Sequence, residues 1–498
     1  MTSVFSRSAF SAIAVVAVTA MSVPLAGAQT SFLGWQPGEE PGATPGIELV
    51  NISNNNPAQG SVFPQVSVSR SDPNLVAVAW RRYALPINTN TLDLDRSGHC
   101  HVAISHDGGK TFTNTDMMQY LRTPGTAPDP ANTKTIQVAD QGVNREYLDP
   151  GDSEPTIAAC NAPWVTIATD GTIYFGGALY TAGGTLQKYP RQGRAGASVS
   201  RDGGKTWSKM AYGINLKNFA PGVTGVGGGM SPWNTPWDGA NGVADPITGT
   251  FYSTAGGAIT VSDDKAQTFS PVYASAGSIT AAFGTVAAAH TVTDTTTFPN
   301  AKCPCLAFGI STDKARTWKQ ILVADNDQFN RTGTVRYPVS AADPVHKGHF
   351  AIAVYAPDHK SIKLYYTEDT GQSWKMAAPR PVPSNTPISD INMSGVGYSS
   401  DGRVLVTWRG FRGPGSFNTF VAMMSDGSFG PTVKVSPEIS MYAPLTYAGN
   451  YGIGNGGGDF TTWVTGNNNT AFVAFPYGPG GVVENTFLAR VPLTLLAH

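Results

Sequence analysis

The sequence predicts an all-β chain of repeated antiparallel units, and three observations carry that prediction. Composition is the first: 56 glycines, 36 prolines and only 13% charged residues suit many short strands joined by turns. A nine-residue stretch that recurs along the chain is the second, because self-similarity points to a repeat architecture. The third is that each copy follows an apolar strand, a polar turn and another strand. At 498 residues the chain exceeds the roughly 100–200 residues of an ordinary domain. A large closed β structure accommodates that length as a single unit.

The first element is a processing signal. Arg7 supplies a positive start, residues 9–23 form an apolar stretch, and Ala26-Gly27-Ala28 offers a small-x-small cleavage site before Gln29. Residues 1–28 are therefore expected to be a signal peptide, 29–45 a flexible leader and 46–498 the folded domain. The mature protein is expected to be secreted and monomeric. Net charge is −1 with no basic block, which argues against nucleic acid as partner. No later stretch reads as a membrane span. Sequons at Asn51, Asn330, Asn392 and Asn468 would be acceptors in a eukaryotic host. Four cysteines allow three disulfide connectivities. The short Cys303-Pro304-Cys305 spacing disfavours a bond within that pair, so Cys100–Cys160 is the expected bridge. No cofactor or metal set is read from the sequence.

The repeated stretch reads "ISHDGGKTF" from Ile104, "VSRDGGKTW" from Val199, "VSDDKAQTF" from Val261, "ISTDKARTW" from Ile310 and "YTEDTGQSW" from Tyr366. "MSDGSFGPT" from Met424 reads as a worn sixth copy. Each predicts a tight hairpin. The Asp carboxylate accepts bonds from N–H groups of its own turn, a small residue lets the backbone reverse, and the final Trp or Phe plugs between units. These Asp residues are expected to build turns, not to catalyse.

The pattern resembles the Asp-box, or BNR, repeat of the sialidase superfamily, over roughly residues 60–490. The resemblance implies a single Asp-box β-propeller with boxes between the third and fourth strands of each blade. Strand–turn–strand units precede each of the six boxes, and a seventh, "GDFTTWVTGNNNTAFVAFPYG", lies near the C-terminus. Seven four-stranded blades are therefore expected, with six, the number in sialidases, as the alternative. Residues 46–56 would add the outer strand of the last blade and close the ring.

The resemblance places function at the end of the ring away from the boxes. Three long segments reach that end: Pro86–Gly98 with Asp93 and Asp95, Thr113–Ser153, and Met210–Gly239 with Trp233 and Trp237. Paired carboxylates suit acid–base work on a glycosidic bond, and Trp suits stacking on a sugar face. In the superfamily an early Arg grips the substrate carboxylate, yet "SVFPQV" has Val62 at that place. This departure argues against sialic acid as substrate. Asp95, ten residues before Ser105, stands near the expected acid, with Asp93 as its rival. Arg82, Arg336 and Arg412 are the candidates for holding an anionic sugar, and blade-to-blade bridging is their structural alternative. His99 and His101 in "GHCH" would share a strand face. His99 could then serve as base in a lyase acting on uronic-acid glycans. A third reading is a propeller that binds an extracellular glycan or protein without turnover.

Overall fold

A computed structural model of the chain describes residues 44–498 except 56–58, 85–98, 122–132, 139–142, 149–156, 182–195, 213–240, 256–257, 271–272, 275–277, 293–295, 326–337, 356–360, 381–389, 414–415, 437–439, 442–461 and 478–484. Seven antiparallel sheets account for nearly all its regular structure, and they form a β-propeller of seven blades. Blade 1 comprises Gln59–Val68, Val76–Ala84, His99–Ser105 and Thr113–Asp116. Blade 2 comprises Ile157–Ile167, Ile173–Thr181, Gly196–Ser200 and Ala211–Tyr212. The inner strands of blades 3 to 6 are Asn241–Ala244, Ser278–Ala282, Val339–Ala342 and Asp390–Tyr398. In blade 7, Trp463–Gly466, Thr470–Tyr477 and Asn485–Pro492 pair in order. The first strand of each blade packs against the first strands of the two neighbouring blades, which closes the ring.

Closure is made by Glu48–Asn51, which pairs antiparallel with Asn485–Pro492 as the fourth strand of blade 7, Glu48 opposite Arg490 and Asn51 opposite Phe487. Blade 7 thus combines strands from opposite ends of the ring sequence, and the outer edge of Asn485–Pro492 is covered. Ser53 Oγ donates to Asn485 Oδ1 at 3.0 Å across a sequence separation of 432 residues, beside the same seam.

Seven clusters of buried apolar side chains fill the seven blade interfaces. The box aromatics belong to them. Phe112 packs between blades 7 and 1, Trp207 between 1 and 2, Phe269 between 2 and 3, Trp318 between 3 and 4, and Trp374 between 4 and 5. Each box therefore plugs its blade against the preceding one, and the apolar area of each ring that is removed from water stabilises the fold. The turn geometry makes this possible. Two successive box residues adopt positive φ: Gly203 and Gly204 in the second box, Lys314 and Ala315 in the fourth. A Cβ on Gly204 would stand 2.6 Å from Ile104 of blade 1, so that box needs glycine; Ala315 fits because its neighbours leave it room, at 0% exposure.

Three expectations change. The sixth copy is no longer a box: Asp426 and Gly427, both at positive φ, form a two-residue turn between Ser425 and Ser428, the geometry favoured by Asp-Gly hairpins. Thr113–Ser153 is not one long loop. It holds the fourth strand of blade 1, a helical turn at Met118–Leu121 and a separate hairpin of Thr133–Val138 with Val143–Leu148. Cys303 and Cys305 are disulfide-bonded to each other, because the chain reverses there and brings their Cα atoms to 4.3 Å. Cys100–Cys160 is bonded as expected, and it staples the third strand of blade 1 to the first strand of blade 2. Among the described residues, no helix is long and apolar enough to cross a membrane.

Candidate functional site

The boxes occupy one end of the ring, and their carboxylates are already engaged. In each of the five, the first hydroxyl donates to the Asp, whose two oxygens also accept the N–H and hydroxyl of a residue four positions on. Ser200 Oγ donates to Asp202 Oδ1 at 2.8 Å, and the Thr206 N–H and hydroxyl reach Oδ1 and Oδ2 at 2.9 and 2.5 Å. The same bonds recur at Asp107, Asp264, Asp313 and Asp369. The bond from Thr206 holds the Asp202 carboxyl down to about 2, and that from Ser373 does the same for Asp369. Carboxylates so filled by their own turns are poor proton donors. An open depression of about 300 Å³ at this end is lined by Asp263, Asp264, Phe269, Lys314 and Arg316. It lies between two boxes, and Lys314 Nζ within it is paired with Asp263 at 2.6 Å.

At the opposite end, the second strand of blade 1 finishes at Ala84 and the third begins at His99. Register places Arg82 opposite His99 and Trp80 opposite His101, and His101 opposite Asp116 of the fourth strand. The result is a polar cluster on one blade edge. His99 Nδ1–H donates to Asp116 Oδ2 at 3.1 Å, and the Met118 N–H donates to Asp116 Oδ1 at 2.9 Å. Burial would raise the Asp116 carboxyl, but these bonds outweigh it and hold the group below the ordinary carboxylate range. His99 and Asp116 are both partly open to solvent, at 38% and 45% side-chain exposure. With Nδ1 committed to Asp116, Nε2 is the remaining ring nitrogen of this partly exposed side chain.

His101 plays a different part. Its ring is buried and stacks on Trp80, centroids 5.3 Å apart and 15° between planes. Burial lowers its pKa to about 4, so it stays neutral at physiological pH. Arg82 is anchored: Nε donates to Asn55 Oδ1 at 3.1 Å and Nη2 to the Ser53 carbonyl at 2.7 Å. These bonds tie blade 1 to the segment that follows the closing strand. Burial lowers the Arg82 pKa against the attraction of Asp116.

Of the residues singled out by sequence, Arg82 and His99 come together. Asp93, Asp95, Trp233, Trp237 and Arg336 lie outside the described residues. Arg412 lies in Val404–Gly413 of blade 6, between Phe411 and Gly413 where the register with the next strand shifts. Asp116 was missed. Counting outward from the first box would have found it, because the box hairpin sets His101 opposite Asp116.

Strand order, blade number and boxes together define an Asp-box β-propeller. The BNR/Asp-box repeat family matches residues 198–209, the second box. No curated protein sequence matches the chain. Among solved structures, a protein of unknown function from Dyadobacter fermentans aligns at 15% identity and a TM-score of 0.44, covering 90% of this chain and 99% of that one. The Hadza microbial sialidase Hz136 aligns at 12% identity and 0.41, covering 88% of this chain and 66% of that one. Trypanosoma rangeli sialidase in complex with 2,3-difluoro-KDN aligns at 11% identity and 0.41, covering 90% and 58%. This chain spans less than two thirds of the length of either sialidase.

Proposed function

We propose that the protein is secreted and acts on extracellular carbohydrate, hydrolysing a glycosidic bond of an anionic sugar at the ring end opposite the boxes. One observation carries this reading: Arg82 and the His99–Asp116 pair adjoin on the edge of blade 1. The segment holding Asp93 and Asp95 leaves and re-enters the blade at that edge. In this reading Asp95 or Asp93 protonates the leaving oxygen as the glycosidic C–O bond breaks, and a water adds to the sugar. Arg82, Arg336 and Arg412 balance the sugar's charge, and Trp233 and Trp237 stack on its ring. The disulfides fit an oxidising compartment.

The oriented His99 ring favours a second reading, elimination from a uronic-acid glycan. There His99 Nε2 takes the proton at C5, the C4–O bond breaks, a C4–C5 double bond forms, and the leaving oxygen takes a proton from water. Incubation with sialosides, uronic-acid polysaccharides and neutral plant polymers, with products read by mass, separates these outcomes. Products carrying added water that vanish in Asp95→Asn or Asp93→Asn support hydrolysis. Unsaturated products that vanish in His99→Gln support elimination. Retention on a glycan without any product overturns both and leaves a binding propeller.

A further inference from the structure

The turn between the first two strands of blade 5 reads Asp343-Pro344-Val345-His346-Lys347-Gly348-His349. Asp343 is 1% exposed, and its Oδ1 is taken by the Val345 and His346 N–H groups at 2.7 and 3.1 Å. Its Oδ2 faces two imidazoles instead, with His346 Nδ1 at 2.9 Å and His349 Nδ1 at 3.8 Å. The three donor atoms lie within 4.8 Å of one another. The two rings are stacked at 5.1 Å between centroids.

These are metal-ligand dimensions. A tetrahedral zinc ion with bonds of about 2.0 Å sets its ligand atoms about 3.3 Å apart, and the two observed N···O distances bracket that value. The donor chemistry, two imidazole nitrogens and a carboxylate oxygen, suits zinc and its late transition-metal neighbours and not calcium. The wall opposite the donors is bare. Gly402 of blade 6 holds a φ of +88°, and a Cβ there would stand 2.8 Å from the His346 ring and 3.1 Å from Asp343 Oδ2. Asp343, being buried, is already fixed by its own turn, whereas His346 and His349 are partly exposed and can rotate to close on an ion. Arg70 is the opposing charge. It donates to the Pro344 carbonyl at 3.0 Å and is attracted to Asp343, so it competes with a second cation.

We propose that Asp343, His346 and His349 form a binding site for a zinc-class ion at the box end of the ring, with a fourth position open to solvent. The site is separate from the blade 1 edge and does not depend on the reading given to that edge.

The test is titration of the untagged full chain with Zn2+ against a fluorescent zinc chelator. One equivalent is expected to bind, and excess Ca2+ is expected not to displace it. His346→Thr with His349→Thr installs the residue type found at the matching positions of blade 3, so the turn keeps a native pattern. This pair is expected to abolish binding while the thermal midpoint without metal stays unchanged, and either single change is expected to weaken binding by about tenfold or more. No zinc uptake by the folded wild-type chain overturns the proposal. Uptake that survives the double substitution overturns it as well, as does displacement by Ca2+.

Discussion

Blades 3 and 5 build the same turn and finish it differently. In blade 3, Asp245 Oδ1 accepts the N–H groups of Ile247 and Thr248 at 2.8 and 3.0 Å, just as Asp343 does in its own turn. Its Oδ2 then accepts the Gly284 N–H of blade 4 at 2.6 Å, so one carboxylate ties two blades. In blade 5 the matching glycine, Gly402, turns its N–H to Ser399 of its own turn. The second oxygen of Asp343 is released to side chains. Most buried acceptors are satisfied. Whether the next blade's backbone satisfies this one decides if the turn is only a joint or is also a site.

The largest test of that contrast replaces each carboxylate by its amide. Asp245→Asn sets an NH2 against the Gly284 N–H, donor to donor, and should cost roughly 3 kcal/mol in urea unfolding. Asp343→Asn lets the amide donate to a histidine nitrogen, losing mainly the attraction on Arg70, and should cost roughly 1 kcal/mol. Equal losses would break the comparison. Next come the two glycines. Gly284→Ala puts a Cβ at positive φ with nothing nearer than Thr248 Cγ2 at 3.8 Å, and should cost about 1 kcal/mol. Gly402→Ala must also displace the His346 ring, and a thermal melt should show about 2 kcal/mol.

A smaller effect separates the cations. Arg70 is part-buried and crosses to Pro344, so Arg70→Met should cost about 1 kcal/mol. Lys265, paired with the exposed Asp170 at 2.6 Å, should lose no more than about 0.5 kcal/mol as Lys265→Met. The least difference is expected in acid. The box carboxylates Asp264 of blade 3 and Asp369 of blade 5 are both held to about 2. Their folded values lie below their unfolded ones, so their contribution is present above about pH 4 and is lost as pH falls towards 2. Asp264→Asn and Asp369→Asn should flatten the acid limb of a midpoint-against-pH curve equally.

What the sequence discloses follows the range of the interactions. The five boxes are legible because the bonds that each Asp side chain makes fall within four residues. The box aromatics are legible as plugs because a large apolar ring at a turn must be covered. The closing strand was legible because a ring of sheets needs its last edge paired. Asp116 was hidden because its value comes from register, not from its neighbours in the chain. His346 and His349 stand three apart in plain view, yet nothing local shows that Asp343 has an oxygen to spare. That depends on a glycine in the next blade and how its N–H is turned. Asp93, Asp95, Trp233, Trp237 and Arg336 remain sequence readings, because they fall outside the described residues.

The seam in blade 7 also sets an order of events. Glu48–Asn51 is made among the first residues of the folded ring, and its partner strand ends at Pro492. During synthesis the early blades can pair their own strands while Glu48–Asn51 still has no partner to pair with. The ring can close only after Asn485–Pro492 has been made, and the long wait is the kinetic burden of distant strand pairing. A ribosome stalled before residue 485 would leave Glu48–Asn51 unpaired and uncover part of the side of blade 1 that packs on blade 7.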